Sequence, residues 1–232
     1  MGAVTLPKRQ LPTPHHQVSY RSSTNKPDYK VLFYIPNIIG YVRLCLLLLA
    51  FCFLSSSPVW FVNLYIASIV LDAFDGFVAR KLQQCSLFGA WLDVVLDNLS
   101  RGLLWTHIHP MLYIVSALEW ATFCCNYATG AEWRQAFAQS KKEVPWMIAY
   151  IMANNWRNPL GVWVISGLHV FPLWLFGLQY GVFVSHLSFL PYSIQMAGLI
   201  VLGSGRLVCG ITEVWCLCSH IYSILVNSSS PK

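Results

Sequence analysis

Charge is what this 232-residue chain has least of. Asp, Glu, Lys and Arg together make up 10% of it, against about a quarter in an ordinary soluble domain, which is too little polar surface to cover a globular fold in water. Acid is scarcer than base, nine residues against fifteen, for a net charge of +6. The bases sit mostly in three clusters separated by long apolar runs, a pattern that belongs to membrane topology and speaks against a nucleic-acid partner. No internal repeat is present, nothing suggests a second domain, and the first 30 residues contain no apolar core of signal-peptide type. The eight Cys form no small-domain disulfide framework; Cys45, Cys52, Cys124 and Cys209 lie in apolar runs and read as small hydrophobic side chains. With 56% hydrophobic residues and a mean hydropathy of +0.53, the disordered, collagenous and disulfide-rich secreted classes are excluded.

What the chain does have is apolar sequence of span length. A bilayer core of about 30 Å takes roughly 20 apolar residues per helix, and six stretches meet or approach that, at about 33–54, 59–79, 89–109, 111–128, 158–178 and 190–226. The expected fold is all-α and integral to a membrane: a polar N-terminal tail over 1–30, a six-helix transmembrane domain over 31–226 and a short C-terminal tail over 227–232. The sixth stretch exceeds one span, so its end is expected to leave the bilayer. Bases occur in the tail (Lys8, Arg9, Arg21, Lys26, Lys30), in the second loop (Arg80, Lys81) and in the fourth (Arg134, Lys141, Lys142), and are missing from the first, third and fifth loops. That alternation places both termini and the even loops in the cytosol. Trp60, Trp105, Trp163 and Trp174 fall near expected helix ends, as interfacial anchors do.

Four of the nine acids, Asp72, Asp75, Asp93 and Asp97, fall within 26 residues at the cytosolic ends of the second and third helices. A carboxylate within a span costs about 2.5–3.5 kcal/mol on insertion scales, so four of them are not packing residues. Asp72 and Asp75 are i and i+3, Asp93 and Asp97 are i and i+4, and each pair shares a helix face. Two antiparallel helices joined by a short loop would bring all four to one point, where their repulsion calls for protonation or for a hard divalent cation, Mg²⁺ or Mn²⁺. Mg²⁺ in turn selects phosphate substrates. Gly76 and Gly89 remove side chains where a ligand could approach the helix backbone, and Arg80 stands at the helix end, suited to a diphosphate.

Written as D-x2-D-G-x2-A-R-x8-G-x3-D-x3-D, the segment Asp72 to Asp97 resembles the signature of the CDP-alcohol phosphotransferases at all eight defining positions. The run Ile35-Pro36-Asn37-Ile38-Ile39-Gly40-Tyr41-Val42-Arg43, taken with Leu71 to Gly76, is most similar to the eukaryotic phosphatidylinositol synthases. The resemblance is strongest over 35–101 and weak after that. It implies the six-helix CDP-alcohol phosphotransferase fold in the endoplasmic reticulum membrane, with a cytosolic active site and with membrane lipids and a homodimer among the partners. It implies transfer of the phosphatidyl group from CDP-diacylglycerol to a polar alcohol, myo-inositol first among them, with release of CMP. Asp72, Asp75 and Asp93 would hold a two-metal centre of Mg²⁺ or Mn²⁺, with Asp97 both near the metals and the general base. Asn37, Gly76, Ala79 and Arg80 would bind CDP-diacylglycerol. Ala79, at i+7 from Asp72 and i+3 from Gly76, contributes a small side chain on that face.

Past the fourth helix the chain departs from the phosphatidylinositol synthases. Their His- and Ser-rich stretch is replaced by Phe123-Cys124-Cys125-Asn126-Tyr127-Ala128-Thr129-Gly130, and their Ser-Arg-Pro element by Asn155-Trp156-Arg157-Asn158-Pro159. Arg157 is retained as an acceptor-binding candidate, and Arg206 is a second. Glu119, Arg206 and Glu213 are charges inside spans, open to two readings: part of the acceptor pocket, or a structural ion pair between helices. A different acceptor alcohol, a non-catalytic lipid-binding relative and a cation carrier are the alternatives. The last lacks a polar path across the spans.

Overall fold

The computed structural model describes residues 27–128 and 144–228. The tail up to residue 26, the bases Arg134, Lys141 and Lys142, and residues 229–232 lie outside the described residues. After a short 3-10 turn (Tyr29–Phe33), the helices are α1 (Ile35–Phe53), α2 (Pro58–Lys81), α3 (Leu87–Ile108), α4 (Tyr113–Ala128), α5 (Trp146–Met152), α6 (Pro159–Gln179), α7 (Val182–His186) and α8 (Tyr192–Ser228).

Prolines punctuate this order. Pro58 and Pro159 occupy first turns, where a missing N–H costs nothing, and Pro110 follows the end of α3. Asn158 caps α6, accepting from the Gly161 N–H at 2.8 Å, and its amide donates back to the Tyr150, Ile151 and Ala153 carbonyls. α2 ends in a Schellman turn: the Gln84 N–H donates to the Ala79 carbonyl and the Gln83 N–H to that of Arg80, with Gln83 at φ 55°.

Among the described residues four helices, α1, α2, α6 and α8, are long and apolar enough to cross a membrane. The chain is a multi-pass membrane protein. α3 carries Asp93, Asp97 and Arg101, and α4 has 16 residues, about 24 Å of helix; they are the fourfold set's polar and short companions. α8, with 37 residues, is about 55 Å long and overruns the bilayer core. Its outer face, with Ile200 and Leu207 at 70% and 72% exposure, suits lipid contact.

α1 packs along α2, α6 along α8, and α3 lies between the two pairs, touching α1, α4 and α6. One core joins Leu47 and Ala50 of α1 to Phe61 and Tyr65 of α2, Leu96 and Leu104 of α3 and Phe176 of α6. α6 and α8 meet through glycine: a methyl on Gly167 would come 2.6 Å from the Gly205 carbonyl carbon, and one on Gly205 2.8 Å from the Trp163 carbonyl oxygen, the close approach that small residues permit between spans. Three of the four Trp residues expected at interfaces take part in packing. Trp105 is buried, edge-on to Phe171, while the Trp163 and Trp174 indoles donate to the Val201 and Gln195 carbonyls across the α6–α8 contact.

Candidate active site

The site forms where the first half of α1, the second half of α2 and the first half of α3 come together. Two local devices hold these ends in register. The Gln84 side chain, in the α2–α3 loop, accepts from the Ile35 N–H at 3.0 Å, and Ser86 caps α3 by accepting from the Gly89 N–H at 3.0 Å. α1 packs on both α2 and α3, so the carboxylates of the two helices converge on a side chain of the first.

That side chain is Arg43, 2% exposed in the middle of α1. Its Nη1 lies 2.6 Å from Asp72, 3.0 Å from Asp75 and 2.7 Å from Asp93, and its Nη2 lies 2.8 Å from Asp97. The four aspartates singled out by spacing are therefore brought to one point. Arg101, one turn past Asp97, adds a second cation at 3.4 Å from Asp97 Oδ2. Four carboxylates against two guanidiniums leave a formal deficit of two positive charges.

The donor set fits a hard divalent cation. One oxygen from each of Asp72, Asp75 and Asp93 lies within 4.8 Å of the other two, and opposite ligands of octahedral Mg²⁺ stand about 4.2 Å apart. Arg43 Nη1 contacts the same three carboxylates and marks the place where positive charge is stabilised. Asp97 falls outside this group of three. Its Oδ2 faces His169 of α6, with Nε2 at 3.0 Å.

Beside the carboxylates opens a cleft of about 180 Å³, lined among others by Asn37, Asp75, Gly76, Ala79, Arg80 and Asp93. Arg80 reaches back over Gly76, where a methyl would sit 3.4 Å from its Nη1. Gly89 lines the same cleft, next to Asn37. The space beside it is taken by Asn37, whose Oδ1 would stand 2.5 Å from a Gly89 methyl and whose amide donates to the Val31 carbonyl at 2.6 Å. Neither Arg157 nor Arg206 lines the cleft. Arg157 is exposed just ahead of the α6 cap.

Arg206 is buried between two acids, with Nη2 3.2 Å from Glu119 and Nη1 3.0 Å from Glu213. Glu119 also receives Arg101 Nε at 2.9 Å, so charges of alternating sign run from Asp97 through Arg101, Glu119 and Arg206 to Glu213. Sequence reasoning gave no role to Arg43, Arg101 or His169. The signal for Arg43 was there, a single base inside the apolar run of the first span.

Residues 33–154, just over half of the chain, match the CDP-alcohol phosphatidyltransferase family. The chain belongs to this family. Among similar curated proteins are three CDP-diacylglycerol--inositol 3-phosphatidyltransferases. That of Schizosaccharomyces pombe is 33% identical over 55% of this chain and 57% of its own length. The Homo sapiens protein is 40% identical over 38% of this chain and 40% of its own. The Saccharomyces cerevisiae protein is 50% identical over 31% and 33%. The chain thus spans about a third to somewhat over half of the length of these relatives. No solved structure matches it. The family match takes in α1 to α5, with the whole aspartate signature, and leaves α6, α7 and α8 outside.

Proposed function

We propose that this protein is a membrane phosphatidyltransferase that moves the phosphatidyl group from CDP-diacylglycerol to a polar alcohol, myo-inositol, forming phosphatidylinositol and CMP. The observation that carries this reading is the convergence of Asp72, Asp75, Asp93 and Asp97 at the mouth of the cleft lined by Asn37, Gly76, Ala79 and Arg80. Similarity to inositol phosphatidyltransferases supports the choice of alcohol.

In this reading Asp72, Asp75 and Asp93 hold Mg²⁺ or Mn²⁺ in a two-metal centre, which Asp97 adjoins. The bound cations supply neutralisation of the diphosphate and of the charge that grows on departing CMP. Arg80 binds the diphosphate, with Gly76 and Ala79 leaving room for it and Asn37 closing the cleft on the α1 side. Asp97 takes the proton of the acceptor hydroxyl as its oxygen attacks the β-phosphorus; the bond from that phosphorus to the CMP oxygen breaks, and CMP carries the electron pair away. Arg157 serves the acceptor side. Arg206, committed to Glu119 and Glu213, is read as structural. The protein is placed in the endoplasmic reticulum with the aspartate end and both termini in the cytosol.

The test is an acceptor panel. Purified protein with labelled CDP-diacylglycerol and Mn²⁺ is offered inositol, glycerol 3-phosphate, serine, choline and ethanolamine. Release of CMP that depends on inositol is expected; dependence on another alcohol would replace the acceptor and keep the reaction class.

A further inference from the structure

We infer that His169 of α6 is a positioning residue for Asp97, supplied by the C-terminal third of the chain, beyond the family match; the inference rests on the phosphatidyltransferase reading. His169 Nε2 is 3.0 Å from Asp97 Oδ2, and Nδ1 is 3.1 Å from the Ile165 carbonyl oxygen one turn back; both neighbours are acceptors, so a neutral ring donates to one of them and an imidazolium to both. The other Asp97 oxygen receives Arg43 Nη2 at 2.8 Å, and Arg101 Nη1 adds its charge 3.4 Å from Oδ2. Asp97 is thereby tethered from α1, α3 and α6. Among the described residues, Asp72, Asp75 and Asp93 have no such bond from α6, and these three make up the group close enough to share a cation.

The division has a chemical consequence. A carboxylate held at both oxygens does not turn freely into a cation's coordination shell, and the lone pair that its partners leave over keeps one direction relative to an incoming hydroxyl. An N–H at Nε2 provides the hold on Oδ2 that keeps Asp97 apart from the other three. A polar side chain inside an apolar span is costly, and the polar contact that His169 makes to another side chain goes to Asp97.

The experiment uses the full-length protein in detergent, with His169→Leu, which fills the volume without a donor, and His169→Gln, which keeps an N–H donor. Initial rates of CMP release give kcat and KM for each substrate, and electron paramagnetic resonance gives Mn²⁺ affinity. His169→Leu is expected to lower kcat by about 10- to 100-fold, the usual scale for misplacing a catalytic group or losing an outer support. Both KM values and the Mn²⁺ affinity should stay within about twofold, and His169→Gln should remain within about tenfold of the parent. A kcat within about twofold of the parent in His169→Leu would overturn the inference, as would equal losses in both variants or loss of Mn²⁺ binding. If His169→Leu does not fold, His169→Gln decides alone: a loss beyond about tenfold with normal Mn²⁺ binding contradicts a positioning role. A parent protein that releases no CMP with any alcohol removes the functional reading and this inference with it, whereas an active parent with unaffected variants removes the inference alone.

Discussion

Arg80 and Arg157 are the two guanidiniums whose removal separates the substrates. Arg80 lines the cleft beside Asp75 and Gly76, so Arg80→Ala should impair use of CDP-diacylglycerol whichever alcohol is offered, chiefly through a lost charge-assisted contact to the diphosphate. Arg157 is outside that cleft, and Arg157→Ala should raise the KM for the alcohol while leaving that for CDP-diacylglycerol near its original value. Steady-state kinetics with each substrate varied in turn check both, and the reverse pattern would reassign the two residues. The aspartates could be read from sequence because the spacing within each helix is fixed by helix geometry. Arg43 and His169 could not be assigned that way, since helical periodicity says which residues share a face and not which helix stands opposite. A guanidinium from α1 and an imidazole from α6 meet Asp97 across 54 and 72 residues of chain.

α3, α4 and α8 are joined by a buried charge relay as well as by apolar contact. Glu119, 5% exposed, receives Arg101 on one oxygen and Arg206 on the other. Removing one member of such a buried set leaves the partners uncompensated, at a cost of about 3 kcal/mol or more. Glu119→Gln should therefore lower Tm in detergent by roughly 6 °C or more for a chain of this size, measured by thermal unfolding; an unchanged Tm would show that the pairs add nothing net. The helices that bear the site were legible because Pro58, Pro110 and Pro159 mark boundaries and the apolar runs have span length. α5 and α7 were not, since 7 and 5 residues are too few to display a helical period against the loops that flank them. The packing partners of the Trp residues were not legible for a related reason. Proximity to a helix end places Trp163 and Trp174 along the axis but says nothing of rotation, and rotation turns their indoles toward α8.

For the whole molecule, the distribution of bases around the spans dictates which side the aspartate end occupies. With Arg80 and Lys81 at the foot of α2 and no bases between α1 and α2, the segment 55–57 is expected in the lumen and the loop at 81–86 in the cytosol. A glycosylation tag at residue 56 should be modified in microsomes; its absence, with labelling of the same position from the cytosol, would invert the orientation and move the site to the opposite face. Three carboxylates around Arg43 are expected to hold the cations on which phosphatidyl transfer depends. Release of labelled CMP by the purified protein is the readout, followed with chelator, with Mn²⁺ or Mg²⁺ restored, and in the Asp93→Asn variant checked for folding by size-exclusion chromatography. The expected result is loss of release with chelator, recovery with either metal, and a folded but inactive Asp93→Asn protein; full activity in chelator or in the folded variant would contradict the claim.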